Sequence, residues 1–157
     1  MRPTDSINDV EMEEGETSEV DFWPTLASEA LYGLFGDIVK VIEPYTEADP
    51  VAILANYITA YGNQVGRNPY FMVEATPHYL NEFVQEVGDS SKARKGQSLG
   101  YPREMFSNID PDWKDRTESG LSTGEGLIYH VRDPINDDPG VDDKRKLIIE
   151  SEFSLPL

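Results

Sequence analysis

The strongest constraint on the fold of this chain is a pair of apolar stripes with helical spacing. The first stripe comprises Leu31, Leu34, Phe35, Ile38, Val39 and Ile42. The second comprises Val51, Leu54, Ala55, Ile58, Tyr61 and Val65. Apolar residues that recur at intervals of three and four lie on one face of an α-helix. The two stripes therefore predict two amphipathic helices.

The residues between and after the stripes mark where these helices begin and end. Pro44 predicts that the first helix ends before it. Asp49 followed by Pro50 predicts an N-cap and a first helical position, and Gly66 predicts the end of the second helix. A short loop then makes an antiparallel helical pair the simplest arrangement.

The charge of the chain limits its partners. A chain of 157 residues has room for one compact domain, and its formal net charge is -17. Such a chain is repelled by anionic membranes and by the phosphates of DNA, so DNA contacts would need a partner or a missing part of the chain. The absence of cysteine excludes disulfides and thiolate metal sites. No apolar run approaches the ~20 residues that span a bilayer, and no signal peptide is evident, so we expect a cytoplasmic protein.

Residues 1–21 predict a disordered acidic tail. Eight acidic residues and the single cation Arg2 lie in this stretch, which has few large apolar groups. Such a segment cannot bury enough surface to offset the entropy lost on ordering. A solvated tail is the simpler interpretation, and an acidic interaction tail is the alternative.

The pattern changes to short strands, loops and helices after residue 68. Residues 70–73 and 79–87 predict two strands, and the second leads straight into Gly88. A helix follows the loop 88–98, and Asp110 caps a shorter one around Trp113. A further short strand is predicted at 146–150.

The loop after the second strand has the composition of a phosphate-binding segment. Its candidate nucleotide-binding residues are Gly88, Ser91, Lys92, Arg94, Lys95, Gly96, Gln97 and Ser98. Backbone N–H groups at a helix N-terminus favour an anion, a lysine adds positive charge, and the Ser98 hydroxyl can complete a Mg²⁺ shell. Residues 88–103 contain four Lys or Arg residues and one acidic residue, although the chain as a whole is strongly acidic. A small anionic ligand fits this island of positive charge.

The spacing of this loop departs from the usual G-x-x-x-x-G-K-[ST] pattern. Gly88 and Gly96 are eight positions apart rather than five, and Gln97 stands where lysine is expected. Either Lys92 or Lys95 would then contact the phosphates. A solvated basic loop that caps a helix remains the alternative.

The second chemical element is the terminal strand. In P-loop ATPases, a strand of apolar residues ends in acids that hold Mg²⁺ and polarise the attacking water. The stretch 147–152 has this form, which makes Glu150 and Glu152 candidate catalytic residues and Glu150 a candidate metal ligand.

Several strings in the chain resemble a family of helicase-like P-loop ATPase domains of bacterial plasmids and phages. The strings are 87–96, 120–128 and Arg132-Asp133-Pro134, and 42–50 resembles the entry helices of that family. The resemblance covers about residues 22–153. It implies a RecA-like fold, ATP and Mg²⁺ as cofactors, and a role in plasmid or phage DNA replication as a helicase or its loader, often beside primase-polymerase modules. It also implies that residues 92–98 stand in the P-loop position and that the strand ending at Glu150 stands in the Walker B position.

The predicted architecture is therefore α/β: a disordered acidic tail at 1–21, a helical entry segment at 22–68 and a partial RecA-like P-loop sheet at 69–157. Glu82, Gln85 and Glu86 interrupt a strand that should be apolar on both faces. The chain also stops soon after the Walker B-like strand. These features predict a truncated ATPase core with low or no activity.

Two other functions fit parts of the sequence. Residues 120–124 match the G-x-S-x-G elbow of serine hydrolases, but no strand is predicted before it and the only later histidine is His130, so helix capping explains Ser122 better. His78 and His130 are isolated and predict no metal site. A non-catalytic remnant, acting through protein contacts or without function, is the alternative from another class.

Overall fold

A computed structural model describes residues 25–88, 95–121 and 123–151. Four α-helices are present in this part of the chain: α1 (Gly33–Ile42), α2 (Pro50–Val65), α3 (Lys95–Ile109) and α4 (Gly124–His130). Four short strands accompany them: β1 (Tyr70–Val73), β2 (Thr76–Tyr79), β3 (Thr117–Glu118) and β4 (Leu147–Ile148). Single 3₁₀ turns lie at Ser28–Ala30 and Glu43–Tyr45, and a 3₁₀ helix of six residues, called the turn after α3 below, lies at Pro111–Arg116. The described chain is therefore mixed α/β, as predicted.

The helical pair forms where the sequence places it. The Asp49 side chain accepts a hydrogen bond of 2.7 Å from the N–H of Val51, which caps α2, and Pro50 is the first helical residue. Gly66 ends α2 with a φ of 65°, a conformation that side chains disfavour. Pro44 lies inside the 3₁₀ turn that follows α1 directly. The predicted end of the first helix and both predicted ends of α2 are confirmed, whereas Leu31 of the first stripe lies before α1, which begins at Gly33.

The buried face of α2 differs from the predicted stripe. Ile53, Tyr57 and Ala60 are buried, whereas Val51 and Ile58 are exposed. The prediction was wrong because it assumed that α2 packs against α1 alone. In the structure α2 packs mainly against α3 and also against α1, so its most buried positions face between the two neighbours.

The core lies at the junction of α1, α2, α3 and the 3₁₀ turn after α3. Its buried apolar residues are Val39, Ala48, Ile53, Tyr57, Ala60, Phe106, Trp113 and Leu147. The rings of Phe106 and Trp113 stack with centroids 5.9 Å apart. This pair fixes the end of α3 against the turn that follows it.

The described strands form two separate two-stranded sheets. The strands β1 and β2 pair antiparallel, with Tyr70 opposite Tyr79, and β3 and β4 pair parallel, with Thr117 opposite Leu147. The predicted strand 79–87 is wrong beyond Tyr79, because residues 80–88 have no strand partner. A tight turn at Glu74, whose φ is 53°, brings β2 back against β1. The pairing ends at Tyr79, which lies opposite Tyr70, the first residue of β1. The larger parallel sheet expected of a RecA-like core is not formed by the described residues.

A charged network joins three parts of the fold. The guanidinium of Arg116 is 5% exposed and donates hydrogen bonds to Asp110, Asp143 and Gln64 over 2.7, 2.7 and 2.9 Å, respectively. Gln64 belongs to α2, Asp110 follows α3, and Asp143 precedes β4. Hydrogen bonds from Arg145 and then from Arg116 hold the pKa of the Asp143 carboxyl far below its usual value. The network ties the C-terminal part of the chain to the helical core.

No helix within residues 25–88, 95–121 and 123–151 combines the length and the apolar character required to cross a bilayer.

Candidate functional site

The start of α3 is the point where the predicted phosphate-binding segment enters regular structure. The helix begins at Lys95, and its first turn has no acidic residue. The backbone N–H groups of such a turn have no partners within the helix and favour an anion. Ser91, Lys92 and Arg94 lie outside the described residues, and for Lys95 only the backbone is described. Their roles stay predictions.

The predicted Mg²⁺ ligand Ser98 lies inside a buried polar cluster. Its side chain is 0% exposed. The amide nitrogen of Asn56 donates to Glu86 Oε1 over 2.7 Å and to Ser98 Oγ over 3.1 Å. The Ser98 hydroxyl donates to Glu86 Oε2 over 3.4 Å. The cluster fastens the segment before the basic stretch to α2 and to the first turns of α3.

This cluster contains two residues whose roles the sequence did not reveal. Glu86 was identified only as a polar interruption of a strand, and Asn56 was not singled out. The feature that points to a role for Asn56 is its position: a polar amide that lies between Ile53 and Tyr57, two buried residues of the same helix. A buried polar group requires hydrogen-bond partners, so such an amide indicates a second polar segment packed on that face.

A cavity lies beside the start of α3. Its volume is about 660 Å³, within the range of small-molecule sites. One wall comes from the turn and loop after α1, and the other comes from one face of α3. The residues that shape it include Tyr45, Thr46, Glu47, Gln97, Tyr101 and Glu104. Gln97 belongs to both the predicted phosphate-binding segment and the cavity.

The described lining of this cavity is aromatic and acidic. Glu47 and Glu104 contribute carboxylates, and no Lys or Arg is among the described lining residues. The Tyr45 side chain is 86% exposed. Burial raises the pKa of the neighbouring Tyr57 phenol, and the negative charge of Glu104 raises it further. The cavity therefore combines two carboxylates with tyrosine, threonine and glutamine side chains that can both donate and accept hydrogen bonds.

The predicted Walker B residue Glu150 lies in a different set of contacts. It follows β4 closely, and its Oε1 atom accepts a hydrogen bond of 2.9 Å from the N–H of Leu121. Glu152 lies outside the described residues. The strand before Glu150 is confirmed over Leu147–Ile148.

The described residues do not fit a Mg²⁺ site built from Ser98 and Glu150. Ser98 bonds to Asn56 and Glu86, whereas Glu150 bonds to the backbone of Leu121. Across the described ranges, no three His, Asp or Glu side chains are grouped to hold a metal ion. We therefore derive no reaction step through Mg²⁺.

Gly88 and Gly96 mark the two ends of the basic segment. Gly88 is the last described residue before it and is half-buried. Gly96 is exposed, and a Cβ placed there would meet no atom of the described residues within 4 Å.

Comparison with known proteins gives no relative. No protein-family model, no curated protein and no solved structure matches this chain.

Proposed function

We propose that this chain binds a nucleotide such as ATP at the start of α3 and has negligible turnover of its own. The observation that carries the proposal is the position of Lys95. It is both the last cation of the basic segment and the first residue of a helix whose first turn has no acid. Helix dipole and side-chain charge then favour the same anion.

The adjoining cavity adds support, because it has the volume of a small-molecule site and shares Gln97 with the basic segment. The resemblance of residues 87–96 to helicase-like ATPases supports ATP as the nucleotide. On the same resemblance we propose a RecA-like core and a cytoplasmic role in plasmid or phage DNA replication.

We base the low turnover on the contacts of Ser98 and Glu150. The Ser98 hydroxyl donates to Glu86 and the Glu150 carboxylate accepts from the N–H of Leu121, so each group is engaged with a different part of the fold. Positioning supplies most of the catalysis in phosphoryl transfer, and groups engaged elsewhere contribute little to it, so we expect little reaction. The net charge of -17 places DNA contacts on a partner or on further chain.

Thermal unfolding with increasing ATP tests the proposal. Ligand at a hundred times its Kd adds about 2.7 kcal/mol to the free energy of unfolding. We expect ATP to stabilise the chain and Lys95→Ala to weaken this effect. Lys114→Ala, which removes an exposed cation from the turn after α3, is the matched control. Absence of stabilisation at any ATP concentration would refute nucleotide binding, and an unchanged affinity in Lys95→Ala would refute the assignment to this helix start.

A second candidate function is a protein-interaction module, and the β1–β2 hairpin favours it. Tyr70, Phe71, Met72 and Val73 are all exposed, so both faces of β1 present apolar side chains. Residues 69–88 contain three acids and no Lys or Arg. We propose as its partner an extended segment with apolar side chains and basic flanks, which would add a strand to the hairpin edge.

Two synthetic peptides separate this candidate from non-specific adhesion. We expect an alternating Lys–Val peptide to bind the chain and to bind a Phe71→Ser variant more weakly. An alternating Glu–Val peptide of equal length should not bind. Equal binding of both peptides, or no loss in Phe71→Ser, would exclude the hairpin as a specific docking site.

A further inference from the structure

We infer that the outward face of α1 is a docking surface for an amphipathic helix of another protein, and that Lys and Arg flank the apolar stripe of that partner helix. The surface consists of Leu34, Ile38, Val41 and Tyr45, and we call it the α1 stripe. It shares no residue with the basic segment or with the β1–β2 hairpin. Its occupant is therefore independent of the nucleotide and of the strand-adding partner proposed above.

The helix α1 is apolar on two sides. Its inward side contributes Val39, which is fully buried, to the core, and Phe35 and Ile42 pack against that core. Its outward side carries Leu34 and Val41, each 69% exposed. A helix that is apolar on all sides is normally buried on all sides. Because the fold buries only the inward side, the outward side is available to a partner.

The spacing of the α1 stripe suits a helical partner. Leu34, Ile38, Val41 and Tyr45 follow one another at intervals of four, three and four. This is the spacing of a coiled-coil seam, in which apolar side chains of one helix insert between those of another. The stripe is ~17 Å long, because eleven helical residues advance by that distance. An extended peptide, whose side chains repeat every second residue, does not match this seam.

The charges around the stripe set the chemistry of the partner. Residues 25–45 contain Glu29, Asp37 and Glu43 but a single cation, Lys40. The Lys40 ammonium lies 3.6 Å from the Asp37 carboxylate, and both side chains are exposed. Such an exposed pair contributes little, so Asp37 can exchange Lys40 for a cation of a partner. Acids before, within and after α1 therefore favour a partner with basic flanks.

The same charges disfavour the two other occupants of an exposed apolar stripe. A second copy of the chain would match the apolar spacing, but each copy carries a net charge of -17, so two copies repel each other. An anionic membrane is repelled for the same reason. A helix that carries Lys or Arg beside its apolar stripe is attracted instead.

Binding of two labelled synthetic peptides to the full chain, followed by fluorescence anisotropy, tests the inference. The first peptide has three heptads with Leu at the first and fourth positions and Lys at the fifth and seventh. The second has the same composition in scrambled order, which keeps the charge and removes the seam. We expect the heptad peptide to bind at least tenfold more tightly than the scrambled one, equivalent to about 1.4 kcal/mol. The double variant Leu34→Gln/Val41→Gln, which keeps good helix formers at both positions, should abolish this difference.

Two further variants serve as controls. Ile128→Gln changes an apolar residue of α4 that is 67% exposed, close to the exposure of Val41, and should leave the difference unchanged. Phe71→Ser, in the hairpin, should also leave it unchanged. Leu34 and Val41 do not line the cavity beside α3, so the double variant should keep any stabilisation by ATP. Thermal unfolding of each variant without peptide checks that the fold is intact.

Three results would overturn the inference. The first is equal binding of both peptides, which would show adhesion by charge alone, and the second is binding of neither peptide. The third is a dimer in sedimentation that Val41→Gln dissociates, since a second copy would then occupy the stripe. None of these results bears on ATP binding, so the two proposals can fail separately.

Discussion

The hydroxyl of Ser98 lies 3.4 Å from a carboxylate oxygen of Glu86, and the basic segment runs between these two residues. The Asn56 amide on α2 donates to both of them. The two ends of the segment are consequently fixed to the same turn of one helix. The cluster therefore holds Glu86 and Ser98 together, although they are 12 residues apart in the sequence.

Loss of the Asn56 amide should destabilise the fold. In Asn56→Ala, the Glu86 carboxylate and the Ser98 oxygen lose a common donor at a part-buried position. Hydrogen bonds to charged groups contribute about 1.5–3 kcal/mol each, and Ser98 and Glu86 keep the bond between them. We expect a fall of that size in the free energy of unfolding, measured with urea. Asn108→Ala, at an exposed position of α3, should change it little; equal effects of the two variants would contradict the role of the cluster.

Removal of the Arg116 guanidinium should be among the most damaging single changes. Arg116→Met leaves Asp110 and Asp143 without their common cation in a part-buried site. Breaking one side of a buried ion pair costs on the order of 3–5 kcal/mol. Chemical denaturation should give a loss at the lower end of that range, because Asp143 keeps Arg145. Arg103→Met, at an exposed position of α3, is the control, and a comparable loss there would refute the prediction.

The Asp143 carboxyl should contribute to the acid sensitivity of the fold. Its pKa in the folded chain is lowered, first by hydrogen bonds from Arg145. Its stabilising effect is therefore complete above the unfolded pKa of about 3.9 and is lost as pH falls toward the lower folded pKa. We expect wild type to be more stable than Asp143→Asn at pH 7 and the gap to narrow below about pH 4. Urea titrations across pH measure the gap, and a gap that does not narrow as pH falls would contradict the prediction.

Two glycine substitutions should have opposite effects. A Cβ at Gly62 of α2 would lie 2.0 Å from the carbonyl oxygen of Leu80, so Gly62→Ala forces the 80–88 segment away from the helix and destabilises the fold. A Cβ at Gly100 of α3 would meet no atom within 4 Å. Gly100→Ala should therefore gain up to about 1 kcal/mol from helix propensity. Thermal unfolding of both variants checks the pair, and stabilisation by Gly62→Ala would show that the close contact is absent.

The local elements were predictable because their signals are local. The spacing of apolar residues, the Asp49 cap and Gly66 were sufficient to locate α1 and α2. The buried face of α2 was not predictable, because it depends on α3, which lies far along the chain. The strand at 79–87 failed for a similar reason: β composition marks residues that suit a sheet but does not supply a partner strand.

The candidate site was likewise predictable only in part. The basic segment predicted that a helix follows it, but α3 begins at Lys95, inside the loop predicted at 88–98, so Gln97 lies in the helix rather than in the loop. The wall formed by Tyr45 and Glu47 could not, because the segment after α1 meets α3 only in the folded chain. The partnership of Asn56 with Glu86 likewise depends on tertiary contact, and only the unusual polarity of both residues hinted at it.

Because β3 and β4 pair side by side, the residues between them form a long connection that begins and ends at the same small sheet. The chain leaves at Glu118 and returns beside it at Ile148. An insertion or deletion in this stretch changes the entropy of loop closure only slowly, as long as Glu118 and Ile148 remain side by side. Evolution can therefore remodel the surface around α4, provided that Asp143 and Arg145 keep their contacts with the helical core.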